Sequence, residues 1–440
     1  MLKPIVKNPD GLFFLWISQI EHYINGIGHY LRSVNSLNTT HTNDKKPRLM
    51  VFPLDFAAHY FRCLEFCKKL SDQFEISFAY SSKYYKFIRS SDFETFEVSN
   101  FNSEEITAAA SSFDFSWLNL RAIESVLGSQ IKAIEEHKPS LILGDAAFTL
   151  KMAAERTDVP FVSLLNGYMT KYCRITRKVS PSHPGYAYSK TMPKRVFERL
   201  TRVIEHAMLE KVHAPFRKAR KKLDLAKRHF LLEELEGDYN LICDLPSFFP
   251  QKKLPENYEF VGPLFYKGDE EEKEVSDFLG DNPVRILVSL GSTGNWKKLN
   301  LLLDPVFSDT RIVISGNYCN TLQASNIMST SFLNHTKIMD KIDIVICHGG
   351  NGTVYQALAH GIPPMLFSGN FEQEWNIQRI IEMQLGTRLE DSFDAAKVRE
   401  TVDSWIGKKS RDSFLKVKQE IKSFTDQTVT LDQHKIIQRP

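Results

Sequence analysis

The stretch from residue 342 to residue 363 most constrains what this chain can fold into, because a strand, a glycine turn and a helix follow one another there. Residues 342–347, apolar except for Asp343, form a run that is too short for a helix and rich in β-branched side chains, which is typical of a buried parallel strand. A helical pattern begins after residue 353 and ends at Gly361 and Pro363. This order of elements predicts an α/β fold built on a parallel sheet.

The turn itself carries His348, Gly350, Gly352 and Thr353. Glycines between a strand end and a helix start let backbone N–H groups approach an anion, and the helix dipole adds partial positive charge there. The turn therefore predicts a cradle for a diphosphate in which His348 is the first side chain. Strand–turn–helix units also occur in α/β proteins that bind no phosphate, so the turn alone leaves that alternative open.

A second short apolar strand, residues 363–367, precedes Glu372 and Gln373. A carboxylate and an amide at the carboxyl end of a strand suit the hydroxyl groups of a sugar. Together the two segments read HGGxGTxxxALxxGxPxxxxxxxxxQxxNxxR. This pattern resembles the donor-binding signature of family-1, UDP-glycosyltransferase-like enzymes with the GT-B fold, and the resemblance extends over roughly residues 48–425.

The resemblance implies a role for each matching residue. His348, Gly352 and Thr353 would hold the nucleotide diphosphate, with Gly350 in the same turn. Glu372 and Gln373 would hold hydroxyls of the donor sugar, and because the family usually has Asp–Gln there, Glu372 could shift the sugar preference. Two other loops are implied to contact the donor: Ser292 and Thr293 at the diphosphate, and Phe332 and Leu333 at the nucleobase.

His59 is the candidate general base. It follows the first predicted strand, and Asp145 ends the strand LILGD of the same sheet, so both lie at the edge where open α/β sheets bind ligands. An imidazole suits proton removal near neutral pH, and the carboxylate could orient it and stabilise the imidazolium. The resemblance implies the same pair, with two departures: Ala58 replaces the usual glycine, and Arg62 lies near the usual proline position. A structural role for His59 is the alternative.

Glycosyl transfer requires that the departing diphosphate be stabilised as its charge develops. Enzymes with the other common transferase fold use a metal held by an Asp-x-Asp motif, and this sequence contains no Asp-x-Asp. We therefore expect an inverting, metal-independent transfer without a further cofactor. The donor would be a UDP- or dTDP-sugar, and the acceptor a hydroxyl of a small, apolar natural product or lipid.

Strand and helix patterns alternate without hairpin signals in both halves of the chain, which predicts two Rossmann-like, doubly wound parallel sheets facing a central cleft. We expect an acceptor-binding domain at 48–265, an acidic solvated linker at 266–283 and a donor-binding domain at 284–407. The tail 408–440 carries a charged helix, and the resemblance implies that it crosses back onto the first domain.

Two segments outside these motifs each allow more than one interpretation. Residues 1–47 combine an amphipathic helix with a polar linker, which suits packing against the body or a second subunit, or contact with a membrane or lipid acceptor. Residues 194–227 are strongly basic and helical, and they indicate either a solvated face or a surface for an anionic membrane or acidic acceptor.

Composition narrows the class of protein. A length of 440 residues allows two domains of about 200 residues each, and 42% apolar with 25% charged residues is ordinary for a globular protein. A net charge of +3 is too small to indicate nucleic-acid binding, and six scattered cysteines fit a reduced, cytoplasmic chain without a signal peptide. Two rival functions remain: a catalytically silent nucleotide-sugar-binding partner, and a sugar-nucleotide 2-epimerase of the same fold. The oligomeric state stays open.

Overall fold

The computed structural model describes residues 46–110, 114–175, 186–291, 296–316, 322, 324–367, 371–390, 392–407, 411–427, 429 and 431. The amphipathic helix expected within residues 1–47 lies outside this part of the chain. Among the residues described, every helix is too short or too polar to span a bilayer.

Seven parallel strands form the first sheet, in the order β3-β2-β1-β4-β5-β6-β7. They are β1 (Arg48–Pro53), β2 (Glu75–Ala79), β3 (Glu94–Phe96), β4 (Leu141–Asp145), β5 (Phe161–Leu165), β6 (Tyr239–Ile242) and β7 (Tyr258–Phe260). The helices of this half are α1 (Ala57–Lys68), α2 (Tyr85–Arg89), α3 (Ser103–Ala110), α4 (Leu120–His137), α5 (Leu150–Thr157), α6 (Tyr186–Thr191) and α7 (Lys194–Lys222).

Strand β1 shows why this sheet is covered on both faces. Successive side chains of a strand point to opposite sides, and here all of the central ones are apolar. Leu49 and Val51 belong to one hydrophobic core, whereas Met50 and Phe52 belong to the core on the other face. The strand order reverses between β1 and β4, so their carboxyl ends border the crevice where this fold class binds ligands.

Six parallel strands form the second sheet, in the order β10-β9-β8-β11-β12-β13. They are β8 (Arg285–Ser289), β9 (Arg311–Ser315), β10 (Ile327–Thr330), β11 (Ile344–Cys347), β12 (Pro364–Leu366) and β13 (Thr387–Arg388). The helices are α8 (Lys273–Leu279), α9 (Asn351–Ala359), α10 (Phe371–Glu382), α11 (Ala395–Trp405) and α12 (Asp412–Thr425). Here the order reverses between β8 and β11. The prediction of two doubly wound parallel sheets is confirmed.

The acidic segment 266–283 differs from the expected solvated linker. Its residues 273–279 form helix α8, and Val275 and Leu279 are buried in the core of the second half of the chain. The physical reason is a helical spacing of four that brings both apolar side chains to one face, while the acidic residues point outward. The many acidic residues of the segment led to the expectation of a solvated linker, although two apolar side chains share one helix face.

The last helix contacts both halves of the chain. Glu420 of α12 accepts hydrogen bonds from the backbone N–H and the hydroxyl of Ser247, at 3.1 and 2.5 Å. Phe414, Val417 and Ile421 of the same helix are buried in a core that also contains Phe248. The chain therefore returns to the first half after completing the second sheet.

Candidate active site

His59 and Asp145 come together at the reversal point of the first sheet. Pro53, the last residue of β1, pairs in register with Asp145, the last residue of β4. The loop after β1 leads directly into α1, whose first turn carries His59. His59 Nδ1 lies 2.9 Å from Asp145 Oδ1, and the His59 side chain is 20% exposed while that of Asp145 is fully buried. An Nδ1–H that donates to the carboxylate leaves Nε2 as the proton acceptor.

Arg62, one helical turn after His59, binds the same carboxylate. Its Nε donates to Asp145 Oδ2 at 2.5 Å, and a terminal guanidinium nitrogen donates to Oδ1. Burial alone would raise the pKa of Asp145, but the charges of Arg62 and His59 hold it below its ordinary value. Asp145 is therefore an anion at neutral pH, with donors on both of its oxygens. In the sequence, Arg62 was visible only as a departure from the family pattern.

Asn166 connects this pair to the second half of the chain. It follows β5, and its Oδ1 accepts a hydrogen bond from Arg62. The same oxygen accepts from Nδ2 of Asn351, the first residue of α9, at 3.2 Å. A continuous path of hydrogen bonds thus runs from His59 through Asp145, Arg62 and Asn166 to the helix that follows the glycine turn.

Asp244 fixes the start of α9 from the first half of the chain. Its Oδ1 accepts from Asn351 Nδ2 at 3.1 Å and from the Tyr355 hydroxyl at 2.7 Å. Its Oδ2 accepts from the backbone N–H of Gly167 at 2.6 Å. Burial raises the pKa of Asp244 to about 6, although the hydrogen bonds oppose that effect. The sequence analysis assigned no role to Asp244, because no motif includes it.

The glycine turn lies at the reversal point of the second sheet. His348 follows β11, and its Nδ1 lies 3.4 Å from the carbonyl oxygen of Ser289 in β8. A Cβ at Gly350 would lie 2.6 Å from His348 Nε2, so the ring is held closely over a glycine at that position. Burial lowers the pKa of His348 to about 4, and the imidazole is therefore neutral at pH 7.

The predicted anion site is the N-terminus of α9. Gly350 is its N-cap, without a capping side chain, and Gly352 and Thr353 lie in its first turn. A Cβ built on Gly352 would have no other atom within 4 Å, so the space beside it is open. The unsatisfied N–H groups of this turn, together with the helix dipole, are suited to an anion.

Helix α10 supports the same turn. Asn376 donates through Nδ2 to the carbonyl oxygen of Gly349 at 2.8 Å and to Asn351 Oδ1. Glu372 and Gln373 lie in the first turn of α10, where Glu372 is partly exposed and Gln373 is buried. Asn376, the asparagine of the signature, therefore positions the glycine turn. It lies about one helical turn after Gln373, one of the two expected sugar contacts.

Comparison with known proteins gives a consistent result. A family model described as erythromycin biosynthesis protein CIII-like, C-terminal domain, matches residues 307–426. A PGL/p-HBAD biosynthesis glycosyltransferase of Mycobacterium tuberculosis is 24% identical over 76% of this chain and 78% of its own length. A PGL/p-HBAD biosynthesis rhamnosyltransferase of Mycobacterium bovis is 22% identical over 76% of this chain and 74% of its own length. An inactive PGL/p-HBAD biosynthesis glycosyltransferase of Mycobacterium bovis is 24% identical over 58% of this chain and 69% of its own length.

Solved structures share the fold. The glycotransferase of kitacinnamycin has a TM-score of 0.64 at 14% identity and covers 87% of this chain and 96% of its own. A spinosyn rhamnosyltransferase complexed with thymidine diphosphate has a TM-score of 0.59 at 17% identity, over 86% and 96%. The same enzyme complexed with spinosyn aglycone has a TM-score of 0.55 at 16% identity, over the same shares. The chain has the fold of a GT-B glycosyltransferase, and its relatives support the resemblance to the family-1 type.

The structure does not test the donor contacts that were expected from two loops of this glycosyltransferase. Ser292 and Thr293 lie outside the described residues. Phe332 packs against Phe61 and Phe87, with ring centroids 6.0 and 4.8 Å apart, and Leu333 is buried in the hydrophobic core. Phe332 and Leu333 thus make packing contacts, and their role at a nucleobase stays a prediction.

Two further observations concern the aromatic residue Tyr168 and possible metal sites. Tyr168, one of the aromatic residues of the loop after β5, is buried against Phe249 and Trp375, with ring centroids 5.1 and 5.2 Å away. Its hydroxyl accepts a hydrogen bond from Asn166 Nδ2 at 2.6 Å, so it supports the network. In the part of the chain that the structure describes, no three His, Cys, Asp or Glu side chains are grouped to hold a metal ion.

Proposed function

We propose that this glycosyltransferase moves a sugar from a nucleoside diphosphate sugar to a hydroxyl group of an apolar acceptor, with inversion at the anomeric carbon. His59 acts as the general base in this scheme, and Asp145 orients it. The observation that carries the proposal is the hydrogen bond between His59 and Asp145, 2.9 Å long, at one end of a polar path that reaches the diphosphate cradle.

The proposed step is a direct displacement at the anomeric carbon. The acceptor oxygen gives its proton to His59 Nε2 and forms a bond to the anomeric carbon. The bond from that carbon to the diphosphate oxygen breaks, and the diphosphate leaves with the electron pair. Attack from the face opposite the leaving group inverts the anomeric centre.

The leaving diphosphate would be stabilised by the protein itself. Open N–H groups at the start of α9, around Gly350, Gly352 and Thr353, suit its developing charge. His348 would donate to the diphosphate from Nε2, in the tautomer whose Nδ1 carries no proton and makes no hydrogen bond to the Ser289 carbonyl 3.4 Å away. It would add no charge, since burial lowers its pKa to about 4. Ser292 and Thr293 complete the proposed diphosphate contacts. This charge stabilisation supports a transfer that needs no metal and no further cofactor.

The donor is proposed to be a dTDP- or UDP-sugar. The structural likeness to a spinosyn rhamnosyltransferase complexed with thymidine diphosphate supports this class. Glu372 and Gln373 would accept and donate hydrogen bonds to the sugar hydroxyls, and Phe332 with Leu333 would border the nucleobase. We assign donor binding to residues 284–407.

The acceptor is proposed to be a natural product or lipid that binds to residues 48–265. Relatives named for PGL/p-HBAD biosynthesis and a structural neighbour complexed with spinosyn aglycone support an acceptor of this kind. His59 lies on this half of the chain and is partly exposed, so a hydroxyl can reach it.

The silent-partner function has one observation in its favour, since one relative is named an inactive glycosyltransferase. A silent partner would bind the nucleotide but transfer no sugar to any acceptor. The His59–Asp145 pair argues against it, because a protein that transfers nothing has no need of an oriented base. A 2-epimerase would convert the donor sugar in the absence of an acceptor.

The deciding experiment incubates the full chain with UDP- and dTDP-sugars and a set of phenolic, polyketide and lipid acceptors, with products followed by mass spectrometry. His59→Ala should abolish transfer and leave nucleotide affinity, measured by calorimetry, unchanged. His137→Ala is the matched control, because His137 is exposed on the same half of the chain. Near-wild-type turnover by His59→Ala would show that another group is the base. Coupling constants of the product would report whether the anomeric centre is inverted.

A further inference from the structure

Helix α7 is anchored to the protein through its second half. Leu209, Val212, Phe216 and Ala219 pack into the core between α7 and the first sheet. Arg220 donates to both carboxylate oxygens of the buried Glu234 and to Glu155 of α5. These contacts hold residues 209–222 firmly and leave the preceding four turns of the helix to a different role.

The first half of α7 exposes a stripe of large apolar side chains. Val196, Leu200, Val203 and Ile204 are 50%, 45%, 66% and 56% exposed. Their spacing of four, three and one places them on one face of the helix. None of the described side chains of residues 194–208 belongs to a hydrophobic core cluster of the structure. An aliphatic stripe of this kind on a charged helix points to a partner that covers it.

Two further exposed aromatic side chains lie on segments next to α7. Tyr188 of the neighbouring helix α6 is 63% exposed, and Phe230 is 46% exposed with its ring 5.3 Å from that of His206 in α7. Aromatic rings next to aliphatic side chains are typical of surfaces at the boundary between water and lipid. We call these six residues, Tyr188, Val196, Leu200, Val203, Ile204 and Phe230, the α7 patch.

Basic residues outnumber acidic ones around the patch, since residues 194–211 include five Lys or Arg and three Glu. At about 100° per residue, Arg195 and Arg199 lie between the apolar stripe and the opposite face, which carries Glu198 and Glu205. Glu210, nearer the stripe, is neutralised by Arg217 at 2.9 Å. Both Arg195 and Arg199 are exposed. Their long side chains can lie along an apolar surface and reach anionic groups beside it.

We propose that the α7 patch docks on the surface of an anionic lipid bilayer, with its apolar side chains among the upper acyl chains and Arg195 and Arg199 at the headgroups. The alternative occupant, a second copy of this chain, fits less well. A stable protein interface buries roughly 800 Å² and about 20–30 residues per partner, whereas the patch comprises six side chains. A bilayer needs only a shallow apolar face with basic residues beside it.

This surface belongs to the half of the chain that carries the proposed base. Helix α6 and helix α7 follow β5 and its loop, and that loop carries Asn166 and Gly167 of the polar network. Docking would hold this half against the bilayer. The inference rests on the α7 patch alone, and vesicle binding is measured without donor or acceptor, so its outcome is separate from that of the transfer assay.

The test is flotation of the full chain with vesicles of phosphatidylcholine, with or without phosphatidylglycerol. The wild type should float with the anionic vesicles. Leu200→Glu/Ile204→Glu should lower vesicle affinity by about tenfold or more, because two charges then replace inserted apolar groups. Arg195→Gln/Arg199→Gln should lower it by a similar factor on anionic vesicles only, and added salt should mimic that change.

Leu415→Glu and Ile381→Glu are the matched controls, because both residues are exposed apolar side chains, 54% and 42%, on other helices. They should float like the wild type. The proposal is overturned if the wild type does not float, or if the patch variants float as well as it does. It is also overturned if light scattering shows that Leu200→Glu/Ile204→Glu dissolves a wild-type dimer without changing flotation. Should the Glu variant fail to fold, the two Gln substitutions at the exposed positions 195 and 199 carry the test.

Discussion

Replacing Asp145 with asparagine separates the two tasks that the structure assigns to this carboxylate. Three donors converge on it, from His59 Nδ1 and from two nitrogens of Arg62. An amide of the same shape offers one acceptor oxygen, and its NH₂ group meets donors. Asp145→Asn therefore leaves a buried guanidinium without its counter-charge and a histidine without its orienting anion.

Each loss has its own magnitude. Arg62 is 8% exposed, and removing one partner of a buried ion pair costs about 3–5 kcal/mol of unfolding free energy. For a domain of this size that lowers the melting temperature by roughly 10 °C. Transfer should fall by about 10³-fold or more, as expected when a catalytic imidazole loses the carboxylate that orients it.

A second substitution distinguishes the two effects. Arg62→Met removes the charge that Asp145→Asn leaves unpaired, so the double variant should regain most of the lost stability while transfer stays low. The assays are urea unfolding of the single and double variants and initial transfer rates on the same preparations. Neighbouring residues in one network commonly show coupling of about 0.5–3 kcal/mol in such a cycle.

Two outcomes would contradict these roles of Asp145. Recovery of transfer together with stability in the double variant would mean that Asp145 serves only to hold Arg62. Equal instability of the single and double variants would mean that Arg62 does not depend on Asp145 for its charge balance.

Three further predictions follow from the site. His348→Ala should weaken nucleotide diphosphate binding by about tenfold, the value of one hydrogen bond to a charged group, whereas His360→Ala at the other end of α9 should leave calorimetric affinity unchanged; equal affinities would remove His348 from the cradle. Glu372→Ala should weaken binding of the sugar nucleotide and spare the free nucleotide, and equal loss of both would exclude contact with the sugar. Since the pKa of Asp244 is raised to about 6 from 3.8, its ionisation in the folded state costs roughly 3 kcal/mol as the pH rises through that range. Wild-type unfolding free energy should thus fall relative to Asp244→Asn between about pH 4 and about pH 7, and parallel pH curves in urea unfolding would contradict the buried, protonated carboxyl.

Most strands of both sheets were predictable because their side chains are apolar on both faces. The expected strand LILGD, residues 141–145, coincides with β4, and the strand expected at 342–347 contains β11. Two edge strands, β10 and β13, were missed. Strand β13 is only two residues long, and β10 contains the polar pair Ser329 and Thr330, so neither has an apolar run. These two strands form because they pair with β9 and β12, and the local sequence does not indicate such pairing.

Helix boundaries show the same limit. Long helical stretches were expected to fill 104–137 without defined ends, and the structure has α3 and α4 there, with residues 114–119 outside both helices. Asn119 caps the second helix by accepting the backbone N–H of Ala122 at 3.0 Å. The acidic segment before the second sheet was the opposite case, because two apolar residues in a charged stretch were enough to form a buried helix.

The sequence by itself determined the fold class, the glycine turn with His348, and the candidate pair of His59 and Asp145. Each of these is a local signal: an apolar run, a glycine spacing, or a polar residue directly after a strand. Only the tertiary structure decided which distant residues meet. The strand order brings residue 59 beside residue 145, and the packing of the two sheets brings Asp244 and Asn166 to the start of α9. Single polar residues carry no periodicity, so their partners, their burial and their charge state appear only when the chain is folded.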